Sequence, residues 1–417
     1  MAERRGTGFG AVTVATAIAG IGGYAITFIA VRGLTETEYA QFAIFWGALF
    51  LSVGALSGIQ QEFSRGTVAT TDPETAHRTR STIARFGPAV SLLGAAAVAL
   101  LVVPVVAILF PEGALSDGFA LVVGAAMSAV IALLTGVLYG LHAWRAIVVV
   151  IVGDVALRLT FILVALLLGG GPMVASWAAV LPYPFVLAFL VVASRRRVFA
   201  IDAHGRRLAH NLLSTVGAAV GTAALVSGAP LLIGLAAGAQ ASEVGPLVFA
   251  LTLTRAPLVV VVLALQSFLV VWFRHHGSLG GALARVLGVV VGLGLLFAGA
   301  VYLLGVPVIV FIAGPAYELD PWYVTGLVLA SLCTALLAVT GAAALAASRH
   351  GLYVAGWTVA AGAAVVALLL VPLPLSDRVL LGLAVGPLVG IGIHLLALRT
   401  RGTQQPDAAD HGDTDAE

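Results

Sequence analysis

Long runs of apolar residues alternate with short polar gaps along this whole chain. A transmembrane helix needs about 20 consecutive, mostly apolar residues. Twelve runs reach that length, and they centre on residues 11–31, 39–60, 87–110, 119–141, 146–168, 174–193, 211–233, 246–272, 282–304, 322–346, 351–372 and 379–398. The pattern predicts an all-α, polytopic membrane protein with about twelve transmembrane helices.

Every second gap between these runs is rich in arginine. The arginine-rich positions are the two ends of the chain and the gaps after the even-numbered runs. They contain Arg4, Arg5, Arg65, Arg78, Arg80, Arg85, Arg145, Arg195, Arg196, Arg197, Arg206, Arg207, Arg274, Arg285, Arg349, Arg399 and Arg401. The opposite gaps contain only Arg32 and Arg378. Since positive charge marks the cytoplasmic side of short loops, we expect a multi-pass protein of the plasma (inner) membrane with both termini cytoplasmic and an even number of spans.

Composition supports the membrane assignment and narrows the chemistry. Apolar residues make up 60% of the chain and charged residues 10%, which are not values of a soluble enzyme. The apolar N-terminal run is too long for a signal peptide and is followed by further spans, so we interpret it as an uncleaved first span. The single cysteine, Cys333, excludes an intramolecular disulfide.

The chain contains no lysine. This excludes a Walker A loop and Schiff-base chemistry, because both depend on a lysine amine. No gap is long enough for a nucleotide-binding domain, and the charges are sorted by membrane side rather than pooled into a basic patch. We therefore expect no nucleotide, no nucleic acid, no metal and no cofactor, and we expect the protein not to be an enzyme.

The basic gap near residues 194–209 divides the chain into two similar halves. We predict a six-helix bundle over residues 1–198, a second over 199–401, and a disordered, acidic cytoplasmic tail over 402–417. Six spans in each half would place two pseudo-symmetric bundles in the same orientation, as in transporters whose site lies between parallel repeats. Within the cytoplasmic gap after span two, Thr71 and Glu74 match a capping box, and Pro73 suits a first helical turn.

Few ionisable residues lie deep in the predicted spans. Asp154 and Arg158 are four residues apart on span five, so they share a helix face and can pair. Arg255 on span eight has no partner in its own span, and Thr252 and Gln266 share its face. Arg158 and Arg255 both lie about 15–18 Å from a span end, near the bilayer midplane. A charge there is costly, and it marks a functional site unless it is neutralised locally.

Both interpretations of the Asp154–Arg158 pair remain open at this point: a self-neutralised pair or a functional one. Arg255 is the better candidate for lining a cavity, opposite a polar stripe on span two that includes Gln61. The three charges leave one net positive charge at the core of the protein. A cationic cavity suits an anionic substrate, and guanidinium suits phosphate oxygens through its forked donors.

Two short segments resemble a known transporter family. The stretch from Phe28 to Ala40 and the start of span eight, from Ser242 to Pro257, are similar to polysaccharide exporters. These are the O-antigen-type flippases of the multidrug/oligosaccharidyl-lipid/polysaccharide flippase superfamily. Many members carry an aspartate in span seven, where this chain has Ser227-Gly228-Ala229, which leaves coupling to a cation through that residue in doubt.

The resemblance implies a transporter that moves a polyprenyl-pyrophosphate-linked oligosaccharide or polysaccharide precursor to the outer leaflet by alternating access. Arg255 and Arg158 would attract the pyrophosphate, and the sugars would lie in the aqueous cavity. Arg32 would lie at the outer mouth. Arg65 is a candidate for the inner mouth, or a topology residue. Membrane lipids and glycan-assembly enzymes are the partners that the resemblance implies.

Three alternatives stay open. A multidrug/cation antiporter of the same superfamily would favour intramembrane carboxylates. The one deep carboxylate predicted here, Asp154, has Arg158 beside it. A membrane-embedded glycan polymerase or ligase usually has a large extracytoplasmic loop, and no outer gap exceeds about 17 residues by the spans drawn above. A lone midplane arginine argues against a non-transporting scaffold.

Overall fold

The computed structural model describes residues 2–109, 113–201, 205–238, 241–255, 258–259, 261–275 and 278–399. The first half contains α1 (Ala2–Gly33), α2 (Glu36–Gly66), α3 (Pro73–Leu101), α4 (Val103–Leu109), α5 (Ala114–Gly140), α6 (Trp144–Leu167), α7 (Pro172–Val180) and α8 (Pro182–Arg195). The second half contains α9 (Gly205–Val226), α10 (Ala229–Ala237), α11 (Ala241–Arg255), α12 (Val261–Arg274), α13 (Leu279–Ala313), α14 (Pro321–Ala346), α15 (His350–Leu370) and α16 (Leu375–Arg399).

The helices confirm an all-α, polytopic membrane protein. Over the described residues, ten helices are long and apolar enough to cross a membrane, and α9 with α10 makes an eleventh if this pair, bent by 62°, is one span. The predicted eighth span, 246–272, is divided between α11 and α12, and Pro257 lies outside the described residues. If this divided segment also crosses, the total is the predicted twelve. The predicted acidic tail, 402–417, lies outside the described residues as well.

Side chains cap the starts of α2 and α3, but the capping box is at α2 and not at α3, where the sequence predicted it. The capping box forms at α2, where the Thr35 side chain accepts from the Glu38 N–H and the Glu38 side chain accepts from the Thr35 N–H. The predicted box from Thr71 to Glu74 is wrong, because the N-cap of α3 is Asp72, which accepts from the N–H groups of Glu74 and Thr75. These bonds and one from the Thr75 hydroxyl lower the pKa of Asp72.

A small sheet lies beside the cytoplasmic end that the charge pattern predicts for α2. Strand β1 (Thr67–Ala69) follows α2 directly, and it pairs antiparallel with β2 (Phe199–Ile201), with Val68 opposite Ala200. Sequence reasoning did not predict these strands. The division at 198/199 remains a prediction, and β2, which it assigns to the second half, pairs with β1, the strand that follows the first-half helix α2.

Helix α2 forms much of the contact between the two halves. It packs on α5 within the first half and on α9, α10 and α11 of the second. A Cβ at Gly58 would lie 2.5 Å from the Val216 main-chain nitrogen, and one at Gly54 would lie 2.8 Å from the Ala223 Cβ. Only glycine permits so close an approach of the two helices. The halves are therefore in direct contact along this line.

Candidate functional site

A cavity of about 240 Å³ lies between the two halves. Its walls come from α1 and α2 on one side and from the region of α9, α10 and α11 on the other. The lining residues are Tyr24, Thr27, Tyr39, Phe42, Ala43, Trp46, Gly47, Phe50, Val226, Ser227, Ala229, Pro230, Val248, Leu251, Thr252, Arg255 and Val259. Arg255 is the one charged residue among these lining residues, so the cavity is mainly apolar with a single cation in its wall.

The α2 wall of the cavity is aromatic. Phe42, Trp46 and Phe50 recur every four residues and therefore share one helix face. The ring centroids of Phe42 and Trp46 are 5.7 Å apart, and those of Trp46 and Phe50 are 4.6 Å apart. This continuous aromatic face was not identified from the sequence, although its spacing was available there.

Arg255 is the last residue of α11 and is buried, with 8% of its surface exposed. Its Nη2 donates to the Leu225 carbonyl oxygen in the last turn of α9. That carbonyl lies just before the bend at Gly228, where the last carbonyls of α9 lack helical N–H partners. Nε and Nη1 of Arg255 are buried without a hydrogen-bond partner among the described residues. The side chain thus has one structural bond and two unused donor nitrogens.

Polar groups accompany Arg255 at the cavity wall. Thr252, which the sequence placed on the same face, lines the cavity, and Tyr24 of α1 lies near enough to interact electrostatically with the guanidinium. Ser227 and Thr27 add two hydroxyls. No carboxylate is present among the lining residues. The electrostatic character of the described wall is therefore cationic.

Arg158 is buried in the first half at 2% exposure, and both of its terminal nitrogens, Nη1 and Nη2, have hydrogen-bond partners. Its Nη2 lies 2.5 Å from Asp154 Oδ1, so the predicted pair forms. Its Nη1 donates to the Ala179 carbonyl oxygen at 2.5 Å, and its Cζ lies 4.8 Å from the Tyr183 ring centroid and 5.5 Å from that of Phe50. Arg158 is not among the described lining residues of the cavity, whereas Phe50, whose ring lies 5.5 Å from the Arg158 Cζ, is one of them.

Arg32 lies at the end of α1 and joins the two halves. Its Nε donates to the Ile312 carbonyl oxygen at 2.6 Å and its Nη2 to that of Phe311 at 2.8 Å, both in the last turn of α13. Nearby, Tyr39 forms edge contacts with Phe249 and Tyr317 at centroid distances of 6.1 and 6.0 Å. Of these residues Tyr39 lines the cavity, so the contacts pack the two halves together beside it, on the side that the charge pattern predicts to be external.

The remaining predicted site residues lie apart from the cavity. Arg65 pairs with the buried Glu62 at 2.6 Å at the opposite end of α2, and Gln61 is exposed beside it. Gln266 is on α12, and its Nε2 is buried with no hydrogen-bond partner among the described residues. Of the seven residues proposed from the sequence, the structure places only Arg255 in the described wall of this cavity.

Arginines binding the ends of other helices are a feature that sequence reasoning missed. Arg32, Arg158 and Arg255 each donate to a carbonyl in the last turn of a helix to which they do not belong. Arg378 does the same with Ala236 of α10 at 2.9 Å. The available signal was the set of glycine and proline breaks that end these helices. The partner of each arginine depends on tertiary packing.

No family model matches the chain. Uncharacterized protein Rv1510 of Mycobacterium tuberculosis (strain ATCC 25618 / H37Rv) is 33% identical over 401 residues, which cover 94% of this chain and 91% of that protein. This chain belongs to the same family as Rv1510.

Solved transporter structures share the fold of this family member. An inward-facing multidrug resistance MATE family transporter of the MOP superfamily matches with a TM-score of 0.69 at 16% identity, covering 94% of this chain and all (100%) of that one. The lipid II flippase MurJ, in an inward closed conformation, matches with a TM-score of 0.69 at 12% identity, covering 93% of this chain and 87% of that one. The fold is therefore that of MOP-superfamily transporters and flippases. The resemblance to the O-antigen-type branch of this superfamily remains a prediction.

Proposed function

We propose that the protein is a flippase that moves an anionic, lipid-linked glycan across the membrane by alternating access. The substrate class is a polyprenyl-pyrophosphate-linked oligosaccharide or polysaccharide precursor, carried from the cytoplasmic to the outer leaflet of the plasma membrane. The observation that carries the proposal is the state of Arg255. It is the single charged residue in the described cavity wall, and two of its nitrogens, Nε and Nη1, are buried without a hydrogen-bond partner among the described residues.

The unpaired nitrogens of Arg255 favour a phosphate-containing substrate. A buried donor without a partner costs free energy, about 1–3 kcal/mol and more for a charged group. Phosphate oxygens accept from guanidinium N–H groups, and a pair of pyrophosphate oxygens would fit the fork that the second Nη2 N–H forms with Nε or with Nη1. Arg255 would then keep its Nη2 bond to Leu225, which fixes the orientation of the fork.

The fold likeness to MurJ supports a lipid-linked substrate, because that protein is named as a lipid II flippase. The present cavity, about 240 Å³, is below the usual range of small-molecule pockets, roughly 300–1,000 Å³. Transport of a glycan therefore requires the halves to separate along the α2–α9 contact, where Gly54 and Gly58 lie. Glycan-assembly enzymes would supply such a substrate at the cytoplasmic face.

Export of a lipophilic cation is the second candidate, and the aromatic face of α2 together with the likeness to a multidrug resistance transporter favours it. Aromatic faces attract cations. Against it stands the charge of the wall, since Arg255 would repel a cation and no lining residue is a carboxylate. The net charge of the substrate thus separates the two functions.

Transport by purified protein in lipid vesicles tests the proposal. A fluorescent, short-chain polyprenyl-pyrophosphoryl saccharide would be scored for movement between leaflets, per folded molecule. We expect Arg255→Ala to reduce the rate at least tenfold and Arg255→Lys to retain part of it, since an ammonium keeps the charge but loses the fork.

The matched control is Arg378→Ala, which also removes a guanidinium-to-carbonyl bond but does so away from the cavity. It should leave the rate per folded molecule near that of the wild type. Normal glycolipid movement by folded Arg255→Ala would overturn the proposal. Movement of a fluorescent lipophilic cation, with none of the glycolipid, would replace it with the second candidate.

A further inference from the structure

A second polar site lies inside the first half, apart from the cavity. Asp117, in the first turn of α5, is fully buried at 0% exposure. One carboxylate oxygen, Oδ2, accepts a hydrogen bond from Gln41 Nε2 of α2 at 2.9 Å. The other oxygen, Oδ1, is buried with no hydrogen-bond partner among the described residues. An ionised carboxylate is therefore only half satisfied in this place.

Ser176 of α7 supplies the third member of this site. Its hydroxyl lies beside the Asp117 carboxylate. Ser176 is also fully buried, and its Oγ has no hydrogen-bond partner of normal geometry among the described residues. The site therefore contains two neighbouring buried oxygens, Asp117 Oδ1 and Ser176 Oγ, and each lacks a partner.

Gly113 makes room for the pairing of Asp117 with Gln41. A Cβ at this N-cap position of α5 would lie 2.7 Å from Gln41 Nε2 and 3.3 Å from Asp117 Oδ2. Any larger residue would displace the amide from the carboxylate. The contact thus depends on local backbone geometry and belongs to the architecture of the site.

The groups around Asp117 do not neutralise a negative charge. The described neighbours are the amide of Gln41 on α2, the hydroxyl of Ser176 on α7 and, beside Gly118, the apolar Val103 of α4. None of the three ion pairs in the described part of the chain includes Asp117.

The other titratable groups on the packed elements are directed elsewhere or are like-charged. Glu38 at the start of α2 bonds to Thr35, and Glu36 lies beside it. Arg158 of α6 is paired with Asp154 and contacts Tyr183 of α8. The outward ends of α3 and α4 supply no charged residue between Ser91 and Leu109, and Glu112 lies outside the described residues.

We propose that Asp117, Gln41 and Ser176 form a proton-binding site. A proton from solution binds Asp117 Oδ1, and the new O–H donates to Ser176 Oγ, while Gln41 Nε2 continues to donate to Oδ2. One proton thereby satisfies both unpaired oxygens and removes a buried, uncompensated charge. Release returns the proton to solution and restores the carboxylate, with no other bond changed.

The site is placed to affect the cavity. Gln41 directly precedes Phe42 on α2, and Phe42 lines the cavity. Loss of the proton leaves a buried, charged carboxylate. Because hydration of that charge lowers its free energy, deprotonation favours a movement of α5 relative to α2 that exposes Asp117 to water. Proton binding and release at Asp117 thus bias the position of the helix that forms the aromatic wall. This inference does not depend on the identity of the substrate.

Infrared spectroscopy of the purified wild-type protein in lipid, recorded across pH, tests the proposal without a transport assay. We expect a carbonyl-stretch band from a buried, protonated carboxyl that disappears as the pH rises. The band should be absent in Asp117→Asn and unchanged in Asp377→Asn, a control that removes an exposed carboxylate at the start of α16.

Two further variants keep the test decisive if Asp117→Asn does not fold. Ser176→Ala removes a hydroxyl that donates to the ionised carboxylate, so the midpoint of the titration should rise by about one pH unit. Gln41→Leu removes the amide donor to the same carboxylate, so the midpoint should rise by about one pH unit as well. If Asp117 is not the titrating group, neither variant would move the midpoint.

Three outcomes would overturn the proposal. The first is a band that does not respond to pH anywhere in the range over which the protein stays folded. The second is a band that survives in Asp117→Asn, which would assign it to another carboxyl. The third is loss of the band on addition of sodium chloride at fixed pH, against a choline chloride control, which would assign the site to a sodium ion instead.

Discussion

Arg158 and Arg255 are both buried near the predicted midplane, and each donates to the carbonyl of another helix end, yet their surroundings differ. Arg158 has a carboxylate at 2.5 Å, a carbonyl on its other terminal nitrogen and two aromatic rings near the guanidinium. Arg255 has one carbonyl, two unpaired nitrogens and a cavity beside it. Depth in the membrane therefore does not identify a substrate-binding arginine. The number of its guanidinium nitrogens without a hydrogen-bond partner is the better criterion.

The largest stability effect expected from this comparison is at Arg158. Arg158→Ala and Asp154→Ala should each lower the free energy of unfolding by about 3 kcal/mol, because removing one partner of a buried pair strands the other charge. The double variant should recover at least half of the summed loss. Denaturant unfolding in detergent measures this, and strictly additive losses would show that the two residues act separately.

A smaller loss of stability is expected at Arg255. Arg255→Ala removes one hydrogen bond from a charged donor, so the free energy of unfolding should fall by about 1–2 kcal/mol. No coupling with Asp154→Ala is expected, since the two residues share no partner in the described structure. The same unfolding measurement applies. A loss as large as that of Arg158→Ala would show that Arg255 is mainly structural and would sharply weaken its assignment to substrate binding.

The smallest change in stability is expected at Arg32, which is exposed. Arg32→Ala should cost about 0.5–1 kcal/mol, because hydrogen bonds at the surface contribute little. The substitution should nevertheless loosen the packing of α1 against the last turn of α13, beside the cavity. A cysteine introduced by Thr27→Cys in a Cys333→Ala background should then react several-fold faster with a membrane-impermeant thiol reagent added outside. An unchanged labelling rate would mean that the aromatic contacts alone maintain the packing there.

Sequence reasoning succeeded where the controlling interactions are local. The apolar runs predicted the helices, and the four-residue spacing of Asp154 and Arg158 predicted their pair, because both features follow from helical periodicity. The spacing of Phe42, Trp46 and Phe50 held similar information that was not used. At α3, by contrast, two local N-cap candidates competed, and Asp72 rather than Thr71 occupies the cap.

Long-range contacts could not be predicted in the same way. The Leu225 carbonyl bound by Arg255 is 30 residues away, and the Phe311 and Ile312 carbonyls bound by Arg32 are 279 and 280 residues away. A carbonyl is present at every residue, so composition cannot show which one an arginine binds. The Asp117 site was missed for a related reason, since Gln41 and Ser176 approach it from α2 and α7 only in the folded chain.

The pairing of β1 with β2 has a consequence for how this family can diverge. The pairing joins the end of α2 to the segment before α9 through main-chain atoms, so it does not require particular side chains. The junction can therefore accept most substitutions at Val68 or Ala200 while the two chain segments stay connected. Proline is the exception, because it removes a main-chain donor. The length and extended conformation of this junction therefore matter more to the pairing than its amino acids do.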